Sequence, residues 1–278
     1  MSTGEQGRSA SQPIAPAKFW LKSALVIVAV GILLAWAWAP KGPREPEYAG
    51  RTLTQWLERL DNNRNNTEVW DECADAIRQI GTNGLPLLLQ LLEAPEEPWR
   101  RQVNAFAQRT GLAGSVVKDD SFKQWMARDG FHLLGAHAQS ALPELLAILS
   151  RCRTSDDRCS VIESISWIGP TAEPAIPALV KGGRSGGQPE RFFVCRALAR
   201  IVSQPEIAVP FLTDQLSHSD RSVRQRAADA LGKFTTNAIS ATPELVKLLD
   251  DPVTTVRETA TNALRRIDRE AATKAGIP

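Results

Sequence analysis

The stretch Gly183-Arg-Ser-Gly-Gly187 puts Ser185 in the G-x-S-x-G pattern that marks the nucleophile of many hydrolases. That chemistry needs a strand before the serine and a helix after it, because the sharp turn between them exposes the hydroxyl group. Here apolar residues at helical spacing precede the glycines, and Pro189 starts another helical pattern. The stretch also lacks the G-x-x-x-x-G-K-[ST] pattern of a phosphate-binding loop. We therefore expect a glycine-rich loop between two helices, without catalysis at Ser185.

The histidines do not have the spacing of a metal centre. His132 and His137 lie five positions apart, His218 is far along the chain, and no cysteine or carboxylate joins them at the spacing of metal ligands. The carboxylates are spread along the outward positions of helical patterns. We therefore expect no metal, no cofactor and no small-molecule substrate, and a protein that is not an enzyme.

The four cysteines contain no C-x-x-C pair. Cys152 and Cys159 flank the link RTSDDR between two predicted helices. The ends of antiparallel helices joined by so short a link can bring two Cα atoms within the roughly 4.4–6.8 Å that a disulfide needs. In an oxidising compartment we expect a Cys152–Cys159 bridge, and the alternative is two unrelated thiols.

A repeated unit dominates the chain. Prolines recur at spacings of 34, 33 and 33 residues, and arginines follow them by 14 or 15 residues. Two columns that keep the same spacing indicate stacked structural units. An earlier copy has Pro86 and Arg101. The spacing of 57 residues from Pro86 to the next repeat proline, Pro143, indicates an insertion near 110–120. The repeat positions are Pro143, Pro177, Pro210 and Pro243, with Arg158, Arg191, Arg224 and Arg257.

Each unit is predicted to be a helix, a turn and a second helix. After Arg191, the residues Val194, Leu198 and Ile201 fall on one helical face. We call this first helix, which carries the arginine, the ladder helix. The second helix is the proline helix, since proline costs nothing in a first turn, where its missing N–H has no helical partner. Neither helix buries its apolar stripe alone, so units must stack, and we expect the arginines to reach the neighbouring unit.

A resemblance to a known family rests on three segments. Ser222-Val-Arg-Gln-Arg-Ala-Ala-Asp-Ala-Leu-Gly232, Ala241-Thr-Pro-Glu-Leu-Val-Lys-Leu-Leu249 and the stretch 168–179 resemble the HEAT repeat, and the resemblance covers about residues 67–270. It implies an all-α fold, an α-solenoid of stacked helix-turn-helix repeats. It also implies that the second helices line a concave face, which would make the protein a scaffold for protein–protein interaction.

The outward column of those second helices is the predicted partner-binding surface. Its mixed charge suits a polar protein partner. The resemblance leaves two enzyme classes as alternatives, because some HEAT-like proteins are bilin lyases and some are DNA glycosylases. A further alternative is a purely structural envelope spacer. The candidate partner-binding residues are Glu144, Lys181, Asp214, Glu244 and Lys247.

The first residues of the chain are organised differently. Residues 19–39 read FWLKSALVIVAVGILLAWAWA, and at about 1.5 Å per residue a helix of this length crosses the core of a bilayer. We expect a single membrane-spanning anchor, with a cleaved signal peptide and a buried core helix as alternatives. The predicted organisation is a tail at 1–18, a transmembrane helix at 19–39, a Pro-rich linker at 40–50 and the solenoid at 51–278. Thr52 and Gln55 predict a capping box at the first helix after the linker.

Charge limits the partners of the part beyond the anchor. The whole chain carries a formal charge of +2, and the first forty residues hold three basic residues and one acid, so the rest is formally neutral. We therefore expect no nucleic-acid partner, since tight binding needs a basic surface. Basic residues on the two sides of the span are balanced, which leaves its orientation open by charge. We expect a bacterial inner-membrane protein whose soluble domain is periplasmic.

Overall fold

The computed structural model describes residues 45–93 and 120–277. They belong to one compact unit that begins at Glu45. The expected tail, the expected membrane span at 19–39 and the early ladder residue Arg101 lie outside the described residues. Within 45–93 and 120–277, no helix has the length and apolar character needed to cross a bilayer.

The described residues form helices and one short hairpin. After the strands β1 and β2 come helices α1 and α2. Helices α3 to α12 alternate between two rows, and α13 is the last helix of the described chain. The ladder row contains α4, α6, α8, α10 and α12, and the proline row contains α3, α5, α7, α9 and α11. The bounds are β1 Glu47–Tyr48, β2 Arg51–Thr52, α1 Leu53–Asn62, α2 Thr67–Ile80, α3 Leu85–Glu93, α4 Asp120–Leu134, α5 Leu142–Arg151, α6 Ser155–Ile168, α7 Ile176–Ser185, α8 Gln188–Ile201, α9 Pro205–Gln215, α10 Arg221–Phe234, α11 Thr242–Lys247, α12 Thr254–Ile267 and α13 Arg269–Lys274.

The hairpin at the start differs from an all-α expectation. Ala49 and Gly50 both have positive φ, at 49° and 73°, which is the turn geometry that suits a two-residue hairpin. The hairpin docks on α1, where Trp56 Nε1 donates a hydrogen bond to the Tyr48 carbonyl at 3.0 Å. The last residues of the predicted linker are thus packed against the helical domain. The capping box is confirmed, because Thr52 and Gln55 exchange backbone and side-chain hydrogen bonds.

The helix pairs expected from the repeat are confirmed, and their core lies between the two rows. Ladder helices bury one face and proline helices bury the leucines that follow their prolines. These apolar residues share one continuous cluster, since stacked units leave no water between them. Fully buried members include Ile162, Ile165, Leu179, Val194, Leu198, Leu212, Leu231, Leu245 and Leu264.

Turns between the rows need a residue in the left-handed region. Gly81, Gly135 and Gly169 end three of the helices with φ values of 60°, 52° and 76°. In the two units that follow, the same place is taken by Val202 at φ 45° and Thr235 at φ 51°. Glycine adopts this conformation without a steric cost, whereas a β-branched residue is strained there.

The prolines open their helices in three of the four expected places. Pro143, Pro177 and Pro243 are the second residues of α5, α7 and α11. Pro210 is different, because α9 begins five residues earlier at Pro205 and therefore contains Pro210 in its interior. Pro205 occupies the first helical position that suits proline. The expectation that Pro210 opens this helix was therefore wrong, since the helix begins about one and a half turns earlier.

The glycine-rich segment was expected to be a loop, but helix α7 includes its first part and only Gly186 and Gly187 link α7 to α8. Helix α7 continues through Ser185, whose hydroxyl donates to the Lys181 carbonyl at 3.1 Å. No strand precedes the serine, so it does not sit on a nucleophile elbow. Gly183 has a packing role, since a Cβ there would lie 2.8 Å from the Phe211 ring of α9. The glycine lets the phenylalanine ring contact the helix backbone.

The ladder arginines join consecutive units. Arg158 donates to the buried Glu190 of the next ladder helix, at 2.7 Å. Arg224 makes two hydrogen bonds to Asp251, at 2.7 and 3.0 Å, and also bonds the carbonyls of the preceding loop. Arg191 bonds Gln215 at 3.0 Å, because that unit has no acid at the equivalent place.

Candidate functional site

The ladder row and the proline row differ in how closely their helices pack. Each ladder helix from α4 to α12 lies in extensive contact with the next, whereas successive proline helices touch each other sparsely. Small residues make the close contact between ladder helices possible, since they let two backbones approach. A Cβ added to Gly232 of α10 would lie 3.2 Å from the Ala263 Cα of α12. Buried small residues at these contacts include Ser160, Ser164, Ala197, Ala227, Ala230, Ala260 and Ala263.

The closer packing bears on which row would face inward if the stack bends. The resemblance implies that the second helices, which are the proline helices, line a concave face. The closer contact along the ladder row favours the ladder row for that side instead.

The residues predicted to bind a partner lie on the proline row, and four of the five form ion pairs with residues of the same row. Lys247 and Glu244 of α11 form an ion pair at 2.6 Å. Glu144 of α5 pairs with Arg151 at 2.9 Å, and Asp214 of α9 lies 4.0 Å from Arg184. Lys181 is exposed on α7. The structure therefore brings these residues to one row, where opposite charges neutralise each other.

The ladder row carries a different set of side chains on its outward surface. Trp167 of α6 is held between two neighbours, with the His132 ring of α4 at 3.8 Å and the Arg200 guanidinium of α8 at 3.5 Å from its ring centroid. Arg200 also donates to the Ser166 hydroxyl at 3.0 Å. Burial and the charge of Arg200 lower the pKa of His132, which favours the neutral imidazole in this stack.

Phenylalanines continue this surface on α8. The Arg196 guanidinium lies 5.4 Å from the Phe193 ring, and Arg226 of α10 lies 5.5 Å from the Phe192 ring. Such cation–π contacts contribute about 0.5–2 kcal/mol each and hold the guanidinium groups in place. We call the aromatic rings and arginines of this surface the arginine–aromatic belt; His132 and Arg226 are exposed and the others are half-buried. Its members are Trp125, His132, Trp167, Phe192, Phe193, Arg128, Arg196, Arg200 and Arg226.

A cavity of about 580 Å³ opens beside the belt. Phe122, Trp125 and Phe193 give it apolar walls, and Gln124 and Arg128 add polar groups. Arg64, which follows α1, covers the Trp125 ring at 3.3 Å from its centroid. Asp61 and Asp156 also line the cavity, so its walls are apolar and polar in similar measure. Its volume is large enough to accept a side chain of a partner.

The belt is electropositive because its arginines outnumber its carboxylates. Glu163 is shared by Arg128, at 3.2 Å, and Arg196, at 2.8 Å. Burial, and then the nearby charges of Arg196 and Arg226, lower the pKa of Arg200, which reflects like charges held close together. Among the described residues, neither Arg200 nor Arg226 forms an ion pair.

One acidic group beside the belt is held in an unfavourable environment. Burial raises the pKa of Asp129 to about 6, and the nearby Arg64 and Arg128 only partly oppose that shift. Its Oδ2 lies 3.7 Å from Arg64 and has no hydrogen-bond partner. Ionisation of this carboxyl group therefore destabilises the folded protein.

The cysteines are free thiols in the structure. Burial raises the pKa of both Cys152 and Cys159 to about 11, so both stay protonated at neutral pH. The Cys152–Cys159 bridge stays a prediction, and a thiol count on the denatured, unreduced protein would test it. Among the residues that the structure describes, no group of three or more histidines, cysteines and carboxylates is arranged to hold a metal ion.

Sequence reasoning missed the belt, although a signal for it exists. Counting 33 residues at a time from Trp167 gives Arg200, Lys233 and Arg266, one on each successive ladder helix. Lys233 and Arg266 are exposed. The predicted partner-binding column lies on the proline helices. The outward columns of the ladder helices indicate a basic strip instead.

Comparisons with known proteins agree with this fold. A family model of HEAT repeats matches residues 184–265. A comparison with curated proteins found no matching sequence. The matched range carries HEAT repeats, and the described chain from Thr67 onward is built from the same kind of helix pair.

Several solved structures are similar to this chain. Computationally designed armadillo repeat proteins for modular peptide recognition match with 16% identity and a TM-score of 0.44, over 78% of this chain and 100% of theirs. The complex of CpcE and CpcF of phycocyanin lyase from Nostoc sp. PCC7120 matches with 21% identity and a TM-score of 0.43, over 85% of each chain. An engineered protein matches with 20% identity and a TM-score of 0.43, over 81% of this chain and 98% of its own. The match to HEAT repeats covers residues 184–265, and the described helices outside that range form the same kind of stacked pair.

Proposed function

We propose that this protein is a membrane-anchored scaffold that binds another protein through the outward surface of its ladder row, without catalysis of its own. The arginine–aromatic belt carries the proposal. Tryptophan and arginine are enriched at the centres of protein interfaces, and half-buried rings lose little conformational freedom when a partner covers them. The cavity beside Trp125 and Phe193 offers a place for an apolar anchor of the partner.

The proline row is the competing surface for the same function. Its exposed charges already neutralise one another in pairs, so a partner would have to break contacts such as Lys247–Glu244 before making its own. Exposed pairs of this kind contribute about 0–1 kcal/mol, which leaves little to direct a partner there. The belt has unneutralised guanidinium groups and rings instead, and for this reason we favour it.

Site-specific photocrosslinking in the native membrane tests which face binds. A photoreactive amino acid is placed at Lys233 or Asn262 on the ladder row, and at Ala178 or Lys181 on the proline row. We expect crosslinked protein products from the two ladder positions and none from the two proline positions. The reverse pattern would assign binding to the proline row, and Trp125→Ala should abolish the ladder products if the cavity holds an anchor.

The anchor and its orientation are part of the same proposal. The apolar run at 19–39 supports a single span, and we propose that the repeat domain lies outside the cytoplasm, at the inner membrane of a bacterium. A reporter fused after Pro278 should then be active only outside the cytoplasm. The intact mass of the purified membrane protein should include residues 1–39, and a mass that begins after Ala37 would indicate a cleaved signal peptide.

A further inference from the structure

The basic strip on the ladder row has a regular geometry. Arg200, Lys233 and Arg266 occupy the same position in three successive helices, α8, α10 and α12, because they are 33 residues apart. Packed helices lie about 8–10 Å apart, so the three cations are spaced by about that distance along the strip. None of the three forms an ion pair with a described residue.

The columns beside the strip add more positive than negative charge. Arg196, Asp229 and Asn262 form one neighbouring column, and Phe193, Arg226 and Thr259 form the next. Glu163 is already bound by two arginines, which leaves Asp229 as the acidic group of these columns that forms no ion pair with a described residue. A domain that is neutral overall therefore presents a basic strip on one face, flanked by aromatic rings.

The spacing of the strip fits one kind of ligand. A chain in the polyproline II conformation has three residues per turn and rises about 3.1 Å per residue, so every third side chain points the same way at intervals of about 9 Å. That repeat matches the spacing between packed helices. Such a chain laid across α8, α10 and α12 would present every third side chain to one cation of the strip.

We propose that the partner of the ladder row is an extended, acidic protein segment with a carboxylate at every third residue, whose carboxylates pair with Arg200, Lys233 and Arg266. This inference rests on the proposed function, because it names the partner of the same face. Nucleic acid is the other polyanion that could meet a basic strip. Asp229 lies beside Arg266, and Glu163 pairs with Arg196 at the start of the strip. Their carboxyl groups oppose a continuous phosphate chain, which favours a segment with separated charges.

Binding of labelled peptides to the full chain in nanodiscs of uncharged phosphatidylcholine tests the inference. The probe contains four Glu-Ala-Pro triplets, and its isomer has the same composition with the four glutamates adjacent. We expect the triplet peptide to bind at least about tenfold more tightly than the isomer, which corresponds to about 1.4 kcal/mol. A triplet peptide with glutamine in place of glutamate should not bind, and salt at about 0.5 M should weaken binding of the acidic peptide.

Matched variants locate the binding. Lys233→Gln with Arg266→Gln removes two charges from the strip, and we expect a loss of at least about tenfold. Lys181→Gln with Lys247→Gln removes the same charge from the proline row and should change binding less than twofold. The two residues replaced in each double variant are exposed, so neither variant should perturb folding. Circular dichroism checks this.

Four outcomes would overturn the inference. Equal binding of the triplet peptide and its isomer would show that the spacing of the glutamates does not matter. An equal loss of affinity in both double variants would show that the strip is not the binding site. Tighter binding of a 12-nucleotide single-stranded DNA than of the triplet peptide would make the strip a nucleic-acid surface. Photocrosslinks from ladder positions to a protein that lacks such a segment would defeat the inference and leave the proposed function intact.

Discussion

The ladder row and the proline row each carry an outward column with the same 33-residue spacing, and the two columns differ in sign. The ladder column is Arg200, Lys233 and Arg266, three cations in succession. The proline column is Lys181, Asp214 and Lys247, in which the sign alternates. Alternating charges attract along the stack and neutralise the surface. Like charges repel one another and leave a potential that only an external anion can neutralise.

The rows also differ in what holds them together. Ladder helices meet through alanine, serine and glycine, and their arginines bond buried acids in the next unit. Successive proline helices contact each other sparsely, and their ion pairs are exposed. The stability of the stack should therefore depend on the ladder row far more than on the proline row. Variants that pair one position from each row measure this difference.

The largest effect is expected at the Arg224–Asp251 pair. The side chains of Arg224 and Asp251 are 13% and 4% exposed, so replacing Arg224 leaves a buried carboxylate without its partner. We expect Arg224→Ala to lower the free energy of unfolding by about 3–4 kcal/mol. Lys247→Ala, which breaks an exposed pair on the proline row, should cost less than about 0.5 kcal/mol. Urea denaturation measures both, and similar losses would contradict the difference between the rows.

The next effect concerns close packing. Gly232→Val adds a side chain where even a Cβ meets the Ala263 backbone at 3.2 Å, and we expect a loss of about 2–3 kcal/mol from overpacking. The matched change on the proline row is Gly182→Ala, where a Cβ meets nothing within 4 Å. That change should raise stability by about 0.5–1 kcal/mol, because alanine favours a helix interior over glycine. Destabilisation by Gly182→Ala would show that the proline row is packed as tightly.

A smaller effect should appear as a pH dependence on the ladder side. The pKa of Asp129 is raised to about 6 from 3.8, so between roughly pH 4 and pH 6 the folded state holds a proton that the unfolded state has lost. The bound proton therefore stabilises the folded state fully below about pH 4, and this stabilisation is lost as the pH rises through about 6. We expect Asp129→Asn to be more stable than wild type by about 1–2 kcal/mol at pH 7.5 and about equal at pH 4. Thermal unfolding at the two pH values measures this, and an equal difference at both would exclude the titration of Asp129.

The smallest effect is expected at the turns that join the rows. Val202 has a φ of 45°, in a place that other units give to glycine. We expect Val202→Gly to raise the free energy of unfolding by about 1 kcal/mol, because glycine relieves the strain of a β-branched residue there. Gly169→Val, at φ 76°, is the reciprocal change and should cost at least as much. Chemical denaturation of the two variants should therefore shift in opposite directions.

Several features of the fold were predictable because they depend on local chemistry. Thr52 with Gln55 identified the start of α1, and Gly81, Gly135 and Gly169 are the residue type that commonly ends a helix with positive φ. Other features depended on context. Pro210 lies inside α9 because Pro205 starts that helix, and Gly182 and Gly183 stay within α7, where the Phe211 ring packs on Gly183. Local preference is overridden there by a contact between helices that are distant in sequence.

The candidate site was the least predictable part. The proline column was chosen from the resemblance, whereas the belt depends on side chains of separate helices meeting across the ladder row. Trp167 lies between His132 and Arg200, and those residues are 35 and 33 positions away from it in the chain. The 33-residue spacing contained this information for Arg200, but nothing in the sequence told which outward column would face a cavity.

The sequence by itself determined the unit, its two helices and their stacking, because apolar residues that recur every 33 or 34 positions can be buried only between neighbouring copies. The tertiary structure decided which row packs closely and which outward surface stays charged. That decision follows from the sizes of residues such as Gly232 and Ala263 at the ladder contacts, since the distance between two helices is set by the side chains that both contribute.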